Sequence, residues 1–397
     1  MPDYPYLIVG GGMTADAAIR GILEQEPTAR IGLIGDELHP PYNRPPLSKG
    51  LWKGKALETI WRKTPADKVT MHLGRRAVAL NTAGKVVRDD QGTEYGYGKL
   101  LLATGGTPRR LPFAREQINS FRTLDDYQLL RAMADQRKRF LVIGGGFIGS
   151  EIAAALSLQG REVVMTFGES GIGARIFPAD LSHFLNDFYR SKGIEVLAQY
   201  SVTALKPDGD RARVRIRHVD TNAEQELMVD GVVAGLGIVP NVELAQSAGL
   251  ATANGIRVDE LLRTSAPEVY AAGDVAEFLD TSLQKRMRVE HEDNANTMGK
   301  LAGMNMAGAR APYTHQPFFY SDLFELGYEA VGELDPQMDV VADWHEPYKQ
   351  GVVYYLRDGR VRGVLLWNVW EKVGTARRLI ADARPMSPSE LKKQIMT

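Results

Sequence analysis

Two glycine-rich segments have the spacing of a phosphate-binding turn. The first, Gly10-Gly11-Gly12-Met13-Thr14-Ala15, matches G-x-G-x-x-A and follows the apolar run Tyr6-Leu7-Ile8-Val9. The apolar run predicts a buried parallel strand, and the helical spacing of apolar residues after Ala15 predicts a helix. Residues without bulky side chains let the backbone N–H groups at a helix N-terminus approach a pyrophosphate. Gly10, Gly12 and Ala15 are therefore expected to hold the diphosphate of a dinucleotide.

An acidic residue completes this first unit. The run Ile31-Gly32-Leu33-Ile34 predicts a second strand, and Asp36 follows it, 21 residues after Ala15. This is the spacing of the acid that accepts a hydrogen bond from the ribose of a bound dinucleotide. The alternatives are a merely tight turn and an ordinary solvated acid.

The same unit occurs a second time. Phe140-Leu141-Val142-Ile143 precedes Gly144-Gly145-Gly146-Phe147-Ile148-Gly149, and Glu169 follows 20 residues after Gly149. The first glycines of the two copies are 134 residues apart and the acids 133, which indicates a repeat in near register. Gly144, Gly146, Gly149 and Glu169 are thus expected to bind a second dinucleotide.

Two dinucleotides on one chain favour electron transfer between them, from a nicotinamide to a flavin. The alternative is one functional site and one relic, which would leave a dehydrogenase without flavin or a nucleotide-sensing protein. The chain contains no cysteine, which excludes disulfides, thiolate metal sites and cysteine nucleophiles. Any redox chemistry must therefore use a bound cofactor.

Charge and hydropathy restrict the partners. The chain has 48 Lys plus Arg and 49 Asp plus Glu, a net charge of −1, which argues against nucleic acid as a partner. No apolar run approaches ~18 residues and the first residues do not resemble a signal peptide, so we expect a cytoplasmic protein without a membrane partner. Glu290, His291 and Glu292 could suggest a metal, but the helix-face zinc motif needs a second histidine where Ala295 stands, so no metal site is expected.

The length of 397 residues predicts two to three domains. The repeat predicts an α/β fold with two doubly wound Rossmann-like domains: residues 1–112 and 241–310 for FAD, and residues 113–240 for NAD(P)H. Residues 311–397 are expected to form a C-terminal α+β interface domain. Within it, Val352–Leu356 and Val361–Trp367 flank Asp358-Gly359 and predict a hairpin. Its tryptophans are expected in the core: Trp344, Trp367 and Trp370.

Further segments carry a resemblance to a known family. Leu102–Arg109, Gly235–Asn241 and Tyr270–Val275 resemble motifs of the two-dinucleotide flavoprotein reductases. Pro41–Lys49 is similar to the branch that contains ferredoxin reductases and apoptosis-inducing factor. Four later segments are more similar to the apoptosis-inducing-factor side of this branch: Arg288–Ala295, Tyr313–Gln316, Phe319–Leu323 and Gly363–Asn368. The resemblance runs from residue 6 to about residue 381.

The resemblance implies roles for individual residues. Asp274 would hold the ribityl or pyrophosphate part of FAD, although it could instead simply cap a helix after the glycine. Lys49 would pair with Glu151 beside the flavin N5, and Glu290 and His291 would lie near the nicotinamide; a satisfied core histidine is the alternative for His291. On this reading the catalytic residues are Lys49, Glu151 and His291. The further cofactor-binding residues are Arg44, Ala103, Thr104, Gly105, Arg109, Gly237 and Tyr320, the last where the family usually has Trp.

The activity expected from the resemblance is an FAD-dependent NAD(P)H oxidoreductase. Hydride would pass from NADH to the flavin, and electrons would pass on to an acceptor such as a two-iron ferredoxin. Glu169 favours NADH, whereas Arg175 or Arg161 could accept the 2′-phosphate of NADPH. The alternative is an NADH-sensing flavoprotein like apoptosis-inducing factor, with slow turnover and redox-dependent oligomerisation; the protein itself would be a monomer or a homodimer.

Overall fold

The computed structural model describes residues 1–392 and 394–396 and divides the chain into two compact units. The first unit comprises Met1–Asn43, Leu57–Thr107 and Val239–Phe319. The second comprises Arg44–Ala56, Pro108–Ile238 and the described part of Tyr320–Thr397.

Short strands dominate both units. In chain order they are β1 Asp3–Val9, β2 Ile31–Gly35, β3 Val69–Leu73, β4 Ala77–Asn81, β5 Val86–Asp89, β6 Glu94–Leu102, β7 Gly106–Pro108, β8 Asn119–Ser120, β9 Arg139–Ile143, β10 Glu162–Phe167, β11 Glu195–Ala198, β12 Tyr200–Asp208, β13 Arg211–His218, β14 Glu224–Val229, β15 Gly231–Ala234, β16 Ile238–Pro240, β17 Ile256–Arg257, β18 Val269–Ala271, β19 Ala276–Asp280, β20 Lys285–Met287, β21 Phe318–Leu323, β22 Leu326–Gly332, β23 Asp339–Glu346, β24 Gln350–Arg357 and β25 Arg360–Trp367.

The helices are α1 Met13–Gln25, α2 Leu124–Gln136, α3 Phe147–Leu158, α4 Ala179–Ser191, α5 Glu243–Ser247, α6 Glu292–Met306, α7 Val373–Ala381 and α8 Pro388–Leu391. Short 3₁₀ turns occur at Pro45–Leu47, Gly50–Lys53, Leu57–Ile60 and Gly273–Val275. No helix of the described residues is both long and apolar enough to cross a bilayer.

The first unit is built on a sheet in the order β3-β2-β1-β6, extended by β5 and β4, with β18 also beside β6. β1 pairs in parallel with both β2 and β6, which aligns Val9 with Ile34 and Leu102. Every residue of β2 is buried, because helices cover a parallel sheet on its faces. β1, β2 and β6 therefore end together beside the first glycine turn, whereas β4 and β5 belong to antiparallel pairs.

The second unit contains a parallel sheet in the order β11-β10-β9-β15-β8 and a three-stranded antiparallel sheet, β12-β13-β14. Its C-terminal part forms another sheet, β21-β22-β25-β24-β23. β24 and β25 form the expected antiparallel hairpin, with Arg357 paired to Arg360 across Asp358-Gly359. Phe177 packs edge-on against Tyr328 and Trp367, so this sheet and the parallel sheet share one unit.

The predicted α/β class with repeated dinucleotide-type folds is confirmed. The three-domain division stays a prediction. Of the tryptophans expected in the C-terminal core, Trp367 is fully buried, but Trp370 is 48% exposed and the expectation is wrong for it. Trp370 follows β25 in a loop in which Asn368 and Glu371 both have positive φ, so the chain turns away before the indole can enter the core.

Candidate dinucleotide and redox site

In the first glycine turn, Gly10 and Gly12 lack a side chain for different steric reasons. Gly10 has φ +117°, and a Cβ there would lie 2.1 Å from the carbonyl oxygen of Ala103. Gly12 caps the N-terminus of α1, and a Cβ on it would meet no protein atom within 4 Å. Ala15 is fully buried where α1 packs on the sheet. The turn is therefore closed at Gly10 and open at Gly12, as a backbone cradle for a diphosphate requires.

The second glycine turn repeats this arrangement in the second unit. Gly144 has φ +116°, and a Cβ on it would lie 2.4 Å from the carbonyl oxygen of Gly235. Gly146 caps α3 and faces open space, whereas a Cβ on Gly149 would lie 2.0 Å from the carbonyl oxygen of Gly144.

Backbone hydrogen bonds match between the two copies as well. The backbone N–H groups of Gly10 and Gly144 each donate to a carbonyl of the strand that precedes the acid. Gly10 donates to Ile34 and Gly144 to Thr166, both over 2.8 Å. The repeat in the sequence is thus a repeat in backbone geometry.

The two acids lie just beyond the ends of their strands. Asp36 follows β2 directly and is exposed, whereas Glu169 lies two residues beyond β10 and is partly buried. Arg175 holds Glu169 through an ion pair of 2.5 Å, while its own side chain is 85% exposed. Glu169 can therefore exchange this exposed partner for a hydroxyl group of a ligand.

Thr104 and Gly105 are fixed by Asn241 within the first unit. The Thr104 hydroxyl donates to the Asn241 carbonyl over 2.8 Å, and the Asn241 amide donates to the Thr104 carbonyl over 2.9 Å. The Asn241 backbone N–H donates to Gly105, which has φ +62°. In the second unit, the backbone N–H of Arg109 donates to Gly237, which has φ +78° and open space around its α-carbon. Within each unit, these hydrogen bonds join the segment Leu102–Arg109 to the segment Gly235–Asn241.

Asp274 lies in the 3₁₀ turn Gly273–Val275, after which the chain enters β19 directly. The alternative of Asp274 as the cap of an α-helix is therefore wrong, because the chain continues as a strand. A Cβ on Gly273 would lie 2.2 Å from the hydroxyl oxygen of Thr14, so this turn packs against the first turn of α1. Asp274 is thereby brought to the end of the helix that Gly12 caps.

His291 caps α6, while Glu290 is ion-paired with Arg288 at 2.9 Å. The His291 ring lies 4.5 Å from the ring of Phe319, and its Nδ1 is buried without a hydrogen-bond partner in the described residues. Burial lowers the pKa of His291 to about 4, although Asp274 and Asp293 oppose this shift. The imidazole is therefore neutral at neutral pH, and a buried Nδ1 without a protein partner is compatible with a ligand group there; the role of His291 stays a prediction.

Lys49 and Glu151 form a buried ion pair in the second unit. The Lys49 Nζ lies 2.7 Å from Glu151 Oε1, and the side chains are 15% and 3% exposed. Two serine hydroxyls, which we did not anticipate, also donate to this carboxylate: Ser48 over 2.6 Å and Ser321 over 2.5 Å. Ser321 lies in the F-x-S-D segment and Ser48 precedes Lys49, so the only sequence signal was proximity to a motif.

Arg44 and Tyr320 also belong to the second unit. The Nη1 of Arg44 donates to the carbonyl of Arg122 over 2.9 Å, which holds the proline-rich loop Pro41–Lys49 near its middle. Tyr320 lies under Lys49, and its side chain is partly exposed. Phe147, a further residue that we did not anticipate, begins α3 directly after Gly146 with a ring that is 40% exposed.

The fold and the two cradles define a protein with two dinucleotide-binding units and a buried charge pair. A family model described as pyridine nucleotide-disulphide oxidoreductase matches residues 4–299, and one described as the C-terminal part of apoptosis-inducing factor, mitochondrion-associated, matches residues 302–347 and 342–382. The chain belongs to the pyridine nucleotide-disulphide oxidoreductase family.

Individual relatives agree with this assignment. The chain is 34% identical to "Apoptosis-inducing factor 1, mitochondrial" of Dictyostelium discoideum, over 96% of this chain and 79% of that protein. It is 32% identical to the "5,5'-dehydrodivanillate O-demethylase ferredoxin reductase subunit" of Sphingobium sp., over 96% and 94%. Among solved structures, a covalent putidaredoxin reductase–putidaredoxin complex matches with a TM-score of 0.90 and 28% identity, covering 99% of this chain and 97% of that one.

Proposed function

We propose that the protein is an FAD-dependent NAD(P)H oxidoreductase that passes electrons to a small iron–sulfur protein such as a two-iron ferredoxin. The observation that carries the proposal is the duplicated glycine turn, open at Gly12 and again at Gly146. A backbone cradle at a helix N-terminus suits a diphosphate, so each turn suits one dinucleotide. FAD, once bound, can take hydride from a nicotinamide and release electrons one at a time.

In this proposal the first unit holds FAD. Gly10, Gly12 and Ala15 support the pyrophosphate, and Asp36 accepts from the adenosine ribose. Asp274 holds the ribityl or pyrophosphate part. Ala103, Thr104 and Gly105 complete the FAD contacts of this unit, and Arg44 is assigned to FAD as well.

The second unit holds the nicotinamide nucleotide. Gly144, Gly146 and Gly149 support its pyrophosphate, and Glu169 accepts from the adenosine ribose. NADH is the proposed donor, because a carboxylate accepts from a 2′-hydroxyl but repels a 2′-phosphate. Arg109, Gly237 and Tyr320 are assigned to the cofactor contacts as well.

The remaining residues orient the reacting groups. Hydride transfer needs alignment and exclusion of water rather than an acid–base catalyst. His291, neutral and with an unfilled Nδ1, can position a nicotinamide together with Glu290. The Lys49 ammonium places a fixed positive charge that favours an anionic reduced flavin.

The decisive experiment is an anaerobic titration of the purified protein with NADH and with NADPH. We expect a yellow protein whose flavin absorbance is bleached by NADH, and then fast reduction of an added two-iron ferredoxin. If charges steer the encounter, the second rate falls steeply with salt. A colourless protein that takes up no flavin, or a flavin that stays oxidised with both nucleotides, would refute the proposal.

A second candidate function is an NADH-sensing flavoprotein. The match of residues 302–347 and 342–382 to the C-terminal part of apoptosis-inducing factor favours it. It predicts slow turnover with every acceptor and an NADH-dependent change in elution volume on size exclusion. A cytoplasmic location and a monomeric or dimeric state stay predictions from the sequence.

A further inference from the structure

The Glu151 carboxylate accepts from three side chains. Oε1 accepts from Lys49 over 2.7 Å and from Ser321 over 2.5 Å, while Oε2 accepts from Ser48 over 2.6 Å. Glu151 is 4% exposed, and the two serines are 5% and 1% exposed. Both carboxylate oxygens are therefore satisfied by protein donors.

These donors come from segments that are far apart in the chain. Ser48 and Lys49 end the proline-rich loop, Glu151 lies in the first turns of α3, and Ser321 lies on β21. Ser48 is 103 residues from Glu151 and Ser321 is 170 residues from it. The carboxylate is thus the point at which three segments of the second unit meet.

The surroundings make each donor important. The phenols of Tyr189 and Tyr328 are buried nearby, and burial together with the negative charge of Glu151 raises the pKa of both. In such a weakly polar environment a carboxylate needs several hydrogen bonds to satisfy both of its oxygens and to hold one orientation. Lys49 alone would satisfy one oxygen and would leave the other unpaired.

We propose that Ser48 and Ser321 are positioning residues that hold the Glu151 carboxylate in one orientation, and that they thereby fix the Lys49 ammonium. This inference rests on the proposed function, in which the charge of Lys49 tunes a bound flavin. Each lost hydroxyl removes one of the three donors that orient the carboxylate, so the Lys49 ammonium is held less firmly. The flavin midpoint potential should then fall, because the positive charge is no longer held at one position.

The test compares Ser48→Ala, Ser321→Ala and the double variant with a matched control, Ser182→Ala. Ser182 is also fully buried in the second unit, but its hydroxyl donates to the Ile172 carbonyl over 2.7 Å. The flavin midpoint potential and the rate of reduction by NADH are measured from pH 5 to pH 9, together with the melting temperature.

The expected result is a flavin midpoint potential that is lower in each serine variant than in the wild type across this pH range, and lower still in the double variant. The control should keep the wild-type profile even if its melting temperature falls. Profiles of Ser48→Ala and Ser321→Ala that coincide with that of the control would overturn the inference.

Failure of the proposed function looks different. It would appear in the wild type, as absence of flavin or of reduction by NADH, and it would remove both proposals. A wild type that is reduced normally, with serine variants indistinguishable from Ser182→Ala, would remove only the positioning role.

Discussion

The ammonium nitrogen of Lys49 lies 5.2 Å from the ring centroid of Tyr320, within the range of a cation–π contact. The same nitrogen is ion-paired with Glu151, so a carboxylate and an aromatic face both hold it. Tyr320 stands where the family that the chain resembles usually has Trp, and its smaller ring still contacts Lys49. The contact with Tyr320, in addition to the ion pair, restricts the Lys49 ammonium to one position.

Replacing Lys49 by Met is expected to leave Glu151 buried without its cation. Breaking a buried pair from one side costs about 3 kcal/mol in the free energy of unfolding. Loss of the positive charge should also lower the flavin midpoint potential. Chemical denaturation and a potentiometric titration measure the two effects.

The matched control is Lys192→Met. Lys192 also pairs with a glutamate, Glu325, at 2.6 Å and lies 5.0 Å from the Phe188 ring, but this pair is much more exposed. Its loss should cost about 1 kcal/mol or less and should not change the potential. An unchanged potential in Lys49→Met would argue against the tuning role.

Gly146→Ala tests nucleotide binding at the second glycine turn with little effect on the fold. A Cβ at Gly146 meets no protein atom within 4 Å and its φ is −86°, so the melting temperature should fall only slightly, by the modest cost of alanine at a helix N-cap. The added methyl group would occupy the space proposed for the nicotinamide nucleotide and should raise the KM for NADH at least tenfold, about 1.4 kcal/mol. The flavin content should stay at the wild-type level.

Gly374→Ala serves as the control for Gly146→Ala. Gly374 lies in α7, and the nearest atom to an added Cβ is an Arg378 nitrogen at 3.9 Å. It should leave both KM and flavin content unaltered. A normal KM in Gly146→Ala would contradict the assignment of the second turn to the nicotinamide nucleotide.

The same reasoning assigns the first turn to FAD. Gly12→Ala also places a methyl group in open space at a helix cap, with φ −92°. We expect a stable protein with reduced flavin content, measured from the ratio of visible to ultraviolet absorbance. Should Gly12→Ala keep its flavin and lose NADH binding instead, the two cradles would have to be exchanged in the proposal.

Much of the fold could be predicted from the sequence, because strand, glycine turn and helix are local features that repeat. Phe140–Ile143 and the hairpin at Asp358-Gly359 are examples in which apolar runs and turn residues suffice. The contacts of Ser48 and Ser321 with Glu151 could not be predicted, since they depend on how distant segments pack. The chain after Asp274 was also misread, because a glycine before an acid is compatible with both a helix and a 3₁₀ turn that leads into a strand.

Glu169→Gln tests the choice of nucleotide. The amide keeps the size of the side chain but weakens its hydrogen bond to a ribose hydroxyl, so the kcat/KM for NADH should fall roughly tenfold. The kcat/KM for NADPH should change little or rise, because repulsion of the 2′-phosphate is removed and Arg175 becomes available to it.

Glu195→Gln is the control for Glu169→Gln. Glu195 lies on β11, which pairs with β10, and it also forms an ion pair with an arginine, Arg139, at 3.0 Å. It should leave the ratio of NADH to NADPH activity at the wild-type value. Equal ratios in Glu169→Gln and Glu195→Gln would show that Glu169 does not select the nucleotide.

The depressed pKa of His291 predicts a pH dependence of stability. Its pKa is about 4 in the folded protein and ordinarily 6.5. Below pH 6.5 the unfolded chain takes up a proton that the folded chain does not, so this residue lowers stability as the pH falls from 6.5 to 4. Since the His291 residue as a whole is partly exposed, although its Nδ1 is buried, we expect the loss at pH 5 to be about 1 to 2 kcal/mol.

His291→Gln should remove this part of the acid sensitivity, whereas replacing the exposed His345 by Gln should not. The measurement is the free energy of unfolding at pH 7.5 and pH 5 for the three proteins, each with its flavin content determined. A ligand group that donates to Nδ1 would stabilise the neutral ring further, so bound cofactor should increase the difference. If wild type and His291→Gln lose the same stability between these pH values, then His291 is not held neutral, and its proposed role beside the nicotinamide loses its electrostatic basis.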